Sequence, residues 1–198
     1  MTKNIVLCGV GGQGTVLASK LIATAAMKKG ISVMSAETIG MAQRGGSVFS
    51  HIRLGDHLHS PMIANGTADI IIGFEPAEAV RMLPYLKDNG QVIVSSHAIM
   101  PVTSTLSEGN YNGQEMILYL KKVVKNLLVV DTEKACLALG SSKVLNILLL
   151  GAAIFSGALG LTEEEIQDAI KERLPEKFHA LNYQALQYFK TQQDNRLK

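Results

Sequence analysis

The chain has 198 residues, 47% of them hydrophobic and 18% charged, with a formal net charge of +2. This length suits one domain with a full core. The low charge excludes long disordered segments, and the lack of a basic run leaves nucleic-acid binding without electrostatic support.

Ile5 to Val10 reads as a short buried strand. Only four apolar residues, Ile5 to Cys8, precede the first glycine, so no secretory leader is expected. Thr15 to Lys29 reads as a helix, with Val16, Leu17, Leu21, Ile22, Ala25 and Ala26 on one face and Gly30 at its end. Ile31 to Glu37 is a second strand. Thr38 to Gly46, TIGMAQRGG, is a loop too short for a packed crossover helix, and Ser47 to Leu54 alternates as a half-buried strand. Parallel neighbours need a crossover of about a dozen residues, so this strand is predicted antiparallel to its partner and the sheet mixed. Ala68 to Phe74 is a further buried strand. Pro76 opens a helix predicted to run to Leu86, with Glu75 and Glu78 in its first turn.

Strands are predicted at Gln91 to Ser95 and Leu127 to Asp131, with a helix over Ile117 to Lys125. The remainder reads as helical: Thr132 to Leu139, Lys143 to Leu159, a helix opened by the capping box at Thr162 to Glu165, and Pro175 to Phe189. Val144 to Leu161 is the most apolar region. Asn146, Ser156 and several glycines interrupt it, so it reads as a buried helix rather than a membrane span. The expected fold is α/β: a Rossmann-like three-layer fold with a mixed, mostly parallel sheet and a helical C-terminal region. One domain is expected over 1–190, followed by a polar tail over 191–198, in a soluble cytoplasmic protein.

Two glycine clusters carry the chemistry. Gly9, Gly11 and Gly14, with Gly12 and Gln13 between them, match G-x-G-x-x-G between a strand and a helix. That placement suits an anion held by backbone N–H groups at a helix N-terminus. Glu37 ends the second strand, where an acid can bind a ribose hydroxyl. A stand-alone NAD-binding Rossmann-like protein is therefore the alternative reading, against which the missing crossover helix counts. Gln43, Arg44, Gly45 and Gly46 form the second cluster, on a loop leaving the same parallel unit. Both loops are therefore expected near the sheet's carboxyl edge, where open α/β sheets bind ligands. Arg44 suits a phosphate or carboxylate, or pairs with Glu37 or Glu75 to hold its loop.

No catalytic triad is visible and no metal site is expected. His51, His57 and His59 read as solvated surface histidines, and His97 follows a strand toward the same edge. The two cysteines, Cys8 and Cys136, sit in apolar surroundings and read as free core thiols. An iron–sulfur cluster normally takes four thiolates, so this chain cannot hold one alone. Asn146 and Ser156 read as satisfied polar groups.

Three stretches together, GVGGQGTVLASKLIATAA, SAETIGMAQRGGSVFSHIRLG and ADIIIGFEPAEAVRMLPYL, resemble the gamma-type subunit of 2-oxoacid:ferredoxin oxidoreductases. The wording is nearest the small (beta) subunit of the indolepyruvate type, from about Asn4 into the helical C-terminal region. The resemblance implies an accessory subunit of an anaerobic complex that oxidatively decarboxylates a 2-oxoacid to acyl-coenzyme A and passes electrons to ferredoxin. Thiamine diphosphate with its Mg, and the 4Fe-4S clusters, are then expected on a large partner subunit. The isolated chain is expected to be catalytically inactive and free to form homodimers, with no membrane partner. Gly9, Gly11, Gly12, Gln13, Gly14, Gln43, Arg44, Gly45 and Gly46 are the candidate cofactor-binding residues, for coenzyme A. The alternative expectation, the favoured one of the two, is that these loops mainly build the subunit interface.

Overall fold

The structure, a computed structural model, describes residues 2–38, 45–100 and 111–196. Six strands form one sheet: β1 (Lys3–Val10), β2 (Val33–Glu37), β3 (Ser47–Leu54), β4 (Ala68–Gly73), β5 (Leu86–Ser95) and β6 (Asn126–Val130). Their spatial order is β2-β3-β1-β4-β5-β6. β1, β4, β5 and β6 are mutually parallel, and β3 pairs antiparallel with both β1 and β2. The predicted antiparallel strand therefore holds. β3 lies between β1 and β2, so those two run the same way without touching.

The helices are α1 (Thr15–Lys28), α2 (Pro76–Met82), α3 (Gln114–Val123), α4 (Thr132–Ala138), α5 (Leu145–Phe155), α6 (Glu163–Arg173) and α7 (His179–Arg196). Strand residues alternate between two cores. Ile5, Leu7, Ile52, Ile70 and Ile72 pack with residues of α1, α5, α6 and α7 on one face. Val6, Cys8, Ile71, Val92 and Val94 pack with residues of α2 and α3 on the other. The three-layer expectation follows from this alternation of side chains across the pleat.

Several boundaries differ from the sequence reading: α3 starts at Gln114, α5 ends at Phe155, α7 runs from His179 to Arg196 into the expected polar tail, and the largest differences flank Pro84. The helix predicted over Pro76 to Leu86 ends at Met82, and Leu83–Tyr85 tightens into a 3-10 turn. Pro84 has no N–H to continue an α-helical ladder. β5 then starts at Leu86, well before Gln91. Its register to β4 jumps from Ala68↔Leu86 to Ile70↔Gln91, so the extra residues bulge out. Lys87, Asp88 and Asn89 in this bulge are exposed, which hid the strand from a hydrophobic pattern. The capping box at Thr162 and Glu165 forms as predicted.

Candidate functional site

From β1 the chain first travels toward β2 and later returns to β4, so the sheet's topological switch lies beside the end of β1. This is the crevice position for ligands in open α/β sheets. Val10, the last residue of β1, is opposite Ser47, the first of antiparallel β3. One glycine loop thus leaves the carboxyl edge where the other arrives. The two are joined directly: Gly11 N donates to Gly46 O at 2.8 Å, and Gly45 N donates to Gly11 O at 3.4 Å. Gln43 and Arg44 lie outside the described residues.

Gln13 fastens the first loop to the sheet. Val10 N donates to its Oε1 at 2.7 Å, and its Nε2 donates to Phe74 O at 2.8 Å. Gly9 lies beneath this bracket, where a Cβ would come within 2.7 Å of both Gln13 Oε1 and Phe74 Cβ. Gly9 and Gln13 are therefore framework residues. Gly14 caps α1 at φ 83, a left-handed conformation that favours glycine. A Cβ there would meet Asn146 Nδ2 at 2.7 Å. Asn146 donates from Nδ2 to Gly14 O at 3.4 Å and accepts from Ile147 N at 3.0 Å, so it is the satisfied polar group expected in this apolar helix.

A cavity of about 460 Å³ opens over the loop, lined by Gly11, Gly12, Gly14, Thr15, Val16, Lys20, Glu37, Thr38 and Val48. Gly12 is exposed, and a Cβ there would meet nothing within 4 Å. No acid stands in the first turn of α1. The N-terminal peptide dipoles and the exposed Lys20 ammonium suit this cavity to an anion. Glu37 is also present, and Ser19 Oγ donates to its Oε1 at 2.9 Å. Sequence reasoning missed Lys20, although its i, i+4 spacing from Val16 places it on the same helix face.

Behind the loops lies a buried acid pair. Glu75 caps α2 by accepting from Glu78 N at 3.0 Å, and the Tyr111 hydroxyl donates to its other oxygen. The Ser47 hydroxyl donates to Glu78, and Arg81 stands 3.3 Å from the same carboxylate. Burial, and then the Glu75 bond, raise the Tyr111 phenol well above its ordinary value. Burial also raises the Cys8 thiol, with Glu78 and Glu75 adding repulsion. Cys8 and Cys136 are both buried, as expected, and they belong to different cores.

The histidines separate. His57 and His59 are exposed, as predicted. His51 is not a surface residue: it is fully buried, accepts from Ile63 N at 3.1 Å through Nδ1, and lies against Phe49 and Tyr85. Ser47, Phe49 and Arg53 on the same face of β3 stay partly exposed, so it is the local cover of Tyr85, Phe49 and the Ile63 backbone that removes His51 from water. His97 lines a second cavity of about 380 Å³ at the carboxyl ends of β5 and β6, with Glu133 3.7 Å from its Nδ1. Among the described residues, no group of three or more His, Cys, Asp or Glu is placed to hold a metal ion. None of the described helices is long and apolar enough to cross a membrane.

The profile of the pyruvate ferredoxin/flavodoxin oxidoreductase family matches residues 4–189. The indolepyruvate oxidoreductase subunit IorB of Archaeoglobus fulgidus is 39% identical over 187 residues, covering 94% of this chain and 92% of its own. The gamma subunit of a keto/oxoacid ferredoxin oxidoreductase from Geobacter sulfurreducens superposes with a TM-score of 0.66 at 23% identity, over 94% of this chain and 93% of that one. The 2-oxoglutarate:ferredoxin oxidoreductase of Magnetococcus marinus contains the same fold within a longer chain. There the TM-score is 0.64 at 17% identity, over 96% of this chain but 30% of the other. The match along nearly the whole length, on a fold whose joined glycine loops are the stretches that carried the resemblance, places this chain in the pyruvate ferredoxin/flavodoxin oxidoreductase family, among its gamma-type subunits.

Proposed function

We propose that this chain is the small subunit of a cytoplasmic, indolepyruvate-type 2-oxoacid:ferredoxin oxidoreductase, and that its joined glycine loops hold the phosphate end of coenzyme A. The observation that carries the ligand reading is the cavity at the start of α1, where an exposed glycine backbone faces Lys20 with no acid in the helix's first turn. Peptide N–H groups there accept a phosphate. Lys20 supplies a mobile positive charge, and Arg44 adds a bidentate one from the second loop. Val16 and Val48 supply apolar wall beside these polar groups. When bound, coenzyme A supplies the thiol that receives the acyl group.

The residues of this chain do not fit an iron–sulfur cluster. Its two cysteines are buried in separate cores, and such clusters take four thiolates. Clusters, thiamine diphosphate and Mg are accordingly assigned to a large partner subunit, which hands electrons to ferredoxin.

In the assembled complex, Lys20→Ala and Arg44→Ala are each expected to raise the KM for coenzyme A. The expected rise is about tenfold to a hundredfold, as loss of a charge-assisted hydrogen bond of about 1.5–3 kcal/mol requires. Unchanged KM and turnover in both variants would contradict the ligand reading. A second reading makes the loops a subunit interface, and one observation favours it. The Gln13 side chain and the Gly46 carbonyl are already engaged within the loops, which leaves a firm backbone surface. It predicts that Arg44→Ala weakens assembly while the KM for coenzyme A stays constant.

A further inference from the structure

β6 is one of the two outer strands of the sheet, and its one strand partner is β5. Its residues Asn126–Val130, NLLVV, include no proline and no charge, and its register to β5 runs without a shift. Leu127, Leu128 and Val129 are partly exposed. Native sheets usually blunt such an edge with lysine, proline, a bulge or a cover. Ser96 N donates to Val130 O at 2.8 Å, so Val130 directs its backbone groups at β5. Successive residues of a strand direct theirs to alternate sides. Asn126 and Leu128 therefore face β5 as well, and Leu127 and Val129 hold their N–H and C=O groups outward.

The ends of this edge carry opposite charges. Lys125 precedes it, Asp131 follows it, and both are exposed. Among the described residues, Lys125 lies within 4.0 Å of no carboxylate and Asp131 within 4.0 Å of no basic side chain. Asp131 caps α4 by accepting from Lys134 N at 3.0 Å through Oδ1, which leaves Oδ2 for another partner.

We infer that β6 pairs antiparallel with β6 of a second copy of this chain, about a two-fold axis through Leu128 and normal to the sheet. Centring on the middle residue is the register that pairs all five strand residues. Leu127 and Val129 of one copy then stand opposite Val129 and Leu127 of the other and exchange their outward N–H and C=O groups. Leu128 meets its own copy. One step further out, Lys125 stands opposite Asp131 of the second copy at each end, on the same face of the sheet. A two-fold contact must be self-complementary, and this edge is so in hydrogen bonding, apolar contact and charge. The neighbouring charges do not oppose it. Lys122 is on α3, which covers the Val6 and Cys8 face, and Lys134 is on α4, which covers the other face. These two lysines stay on opposite sides of the joined sheet. α3 runs against β6 and on the same face as its copy, so the Glu115 end of one helix lies beside the Lys121 and Lys122 end of the other. Pairing of β6 with β2, the other outer strand, would be head-to-tail and would not close. The contact is independent of the function proposed above.

The test is sedimentation equilibrium of the full chain across the micromolar range. It compares wild type, Val129→Pro, Lys125→Glu, Asp131→Lys and an equimolar mixture of the last two. Val129→Pro removes an outward N–H that the β5 ladder does not use, a position where an outer strand tolerates proline. Thermal melting establishes that each variant folds, and the two charge variants decide the matter if Val129→Pro does not. The expected result is a wild-type dimer and a Val129→Pro monomer. Dimerisation is expected to weaken by about tenfold in each charge variant alone, because symmetry turns two attractions into two repulsions. It returns in the mixture, where each altered charge meets its opposite. A wild-type monomer throughout the range would overturn the pairing, and so would a dimer that Val129→Pro leaves intact. Masses growing beyond the dimer would overturn it in favour of head-to-tail contact between β6 and β2. A mixture as weak as its two components would overturn the register. Each of these outcomes leaves the subunit reading standing, since recovery of an iron-bearing chain tests that separately.

Discussion

Gln13 spends its side chain on the loop that contains it. One end accepts from Val10 N and the other donates to Phe74 O, tying the glycine turn to the ends of β1 and β4. Gln13→Ala leaves both backbone groups without that partner, which costs about 1–3 kcal/mol. For a chain of this size this lowers Tm by about 2–4 °C per kcal/mol. Unchanged melting would contradict the framework role. Gly12 and Gly14 both have positive φ, but only Gly14 faces Asn146. Gly14→Ala is therefore expected to destabilise the chain more than Gly12→Ala in urea unfolding, and the reverse order would contradict the packing described. The thiols give a third check at this scale. Burial raises both Cys8 and Cys136, which keeps them as unreactive thiols. Both are expected to resist a thiol reagent near neutral pH in the native chain and to react fully in denaturant. Rapid native labelling of Cys8 would contradict its burial.

β3 shows what a local pattern reveals and what it hides. Its direction was legible, because Thr38 to Gly46 is too short for a crossover. Its place between β1 and β2 was not, because alternation within one strand says nothing about which strands flank it. His51 read as a surface residue and is instead enclosed by Phe49, Tyr85 and the backbone of Ile63. Burial lowers its pKa below the ordinary 6.5, so the unfolded chain binds this proton more readily than the folded one. The contribution is complete above about pH 6.5 and is lost as pH falls through the interval down to the folded-state pKa. Denaturant unfolding at a series of pH values is expected to show stability falling below pH 6.5, with a shallower fall in His51→Leu. An identical pH dependence in the two chains would contradict the account. The β4–β5 region carries the same lesson. Pro84 and the polar bulge over Lys87 to Asn89 broke the hydrophobic rhythm, so the early start of β5 was invisible, whereas its buried half from Gln91 was plain.

Across the whole molecule, the strand and helix order was readable because apolar runs, glycine punctuation and caps agreed with one another. The three-layer form and the mixed sheet followed from them. The meeting of the two glycine loops rested on a weaker step, a shared carboxyl edge, and the Gly11–Gly46 bond is the contact that realises it. Three features were beyond local reading because they depend on partners distant in sequence. These are Asn146 against Gly14, the engagement of the Gln13 amide by Phe74, and the acid pair behind the loops held by Tyr111 and Ser47. Membership in the family rests on agreement along residues 4–189, and the same fold occurs as 30% of a longer oxidoreductase chain. The most direct measurement is affinity purification of this chain from its native extract under anaerobic conditions. The recovered material is assayed for iron, thiamine diphosphate and 2-oxoacid-dependent reduction of a viologen dye. The account predicts a larger chain carrying iron and thiamine diphosphate, with indolepyruvate reducing the dye faster than pyruvate. Recovery of the chain alone, with NAD raising its melting temperature, would contradict it and return the first glycine loop to an ordinary dinucleotide fingerprint.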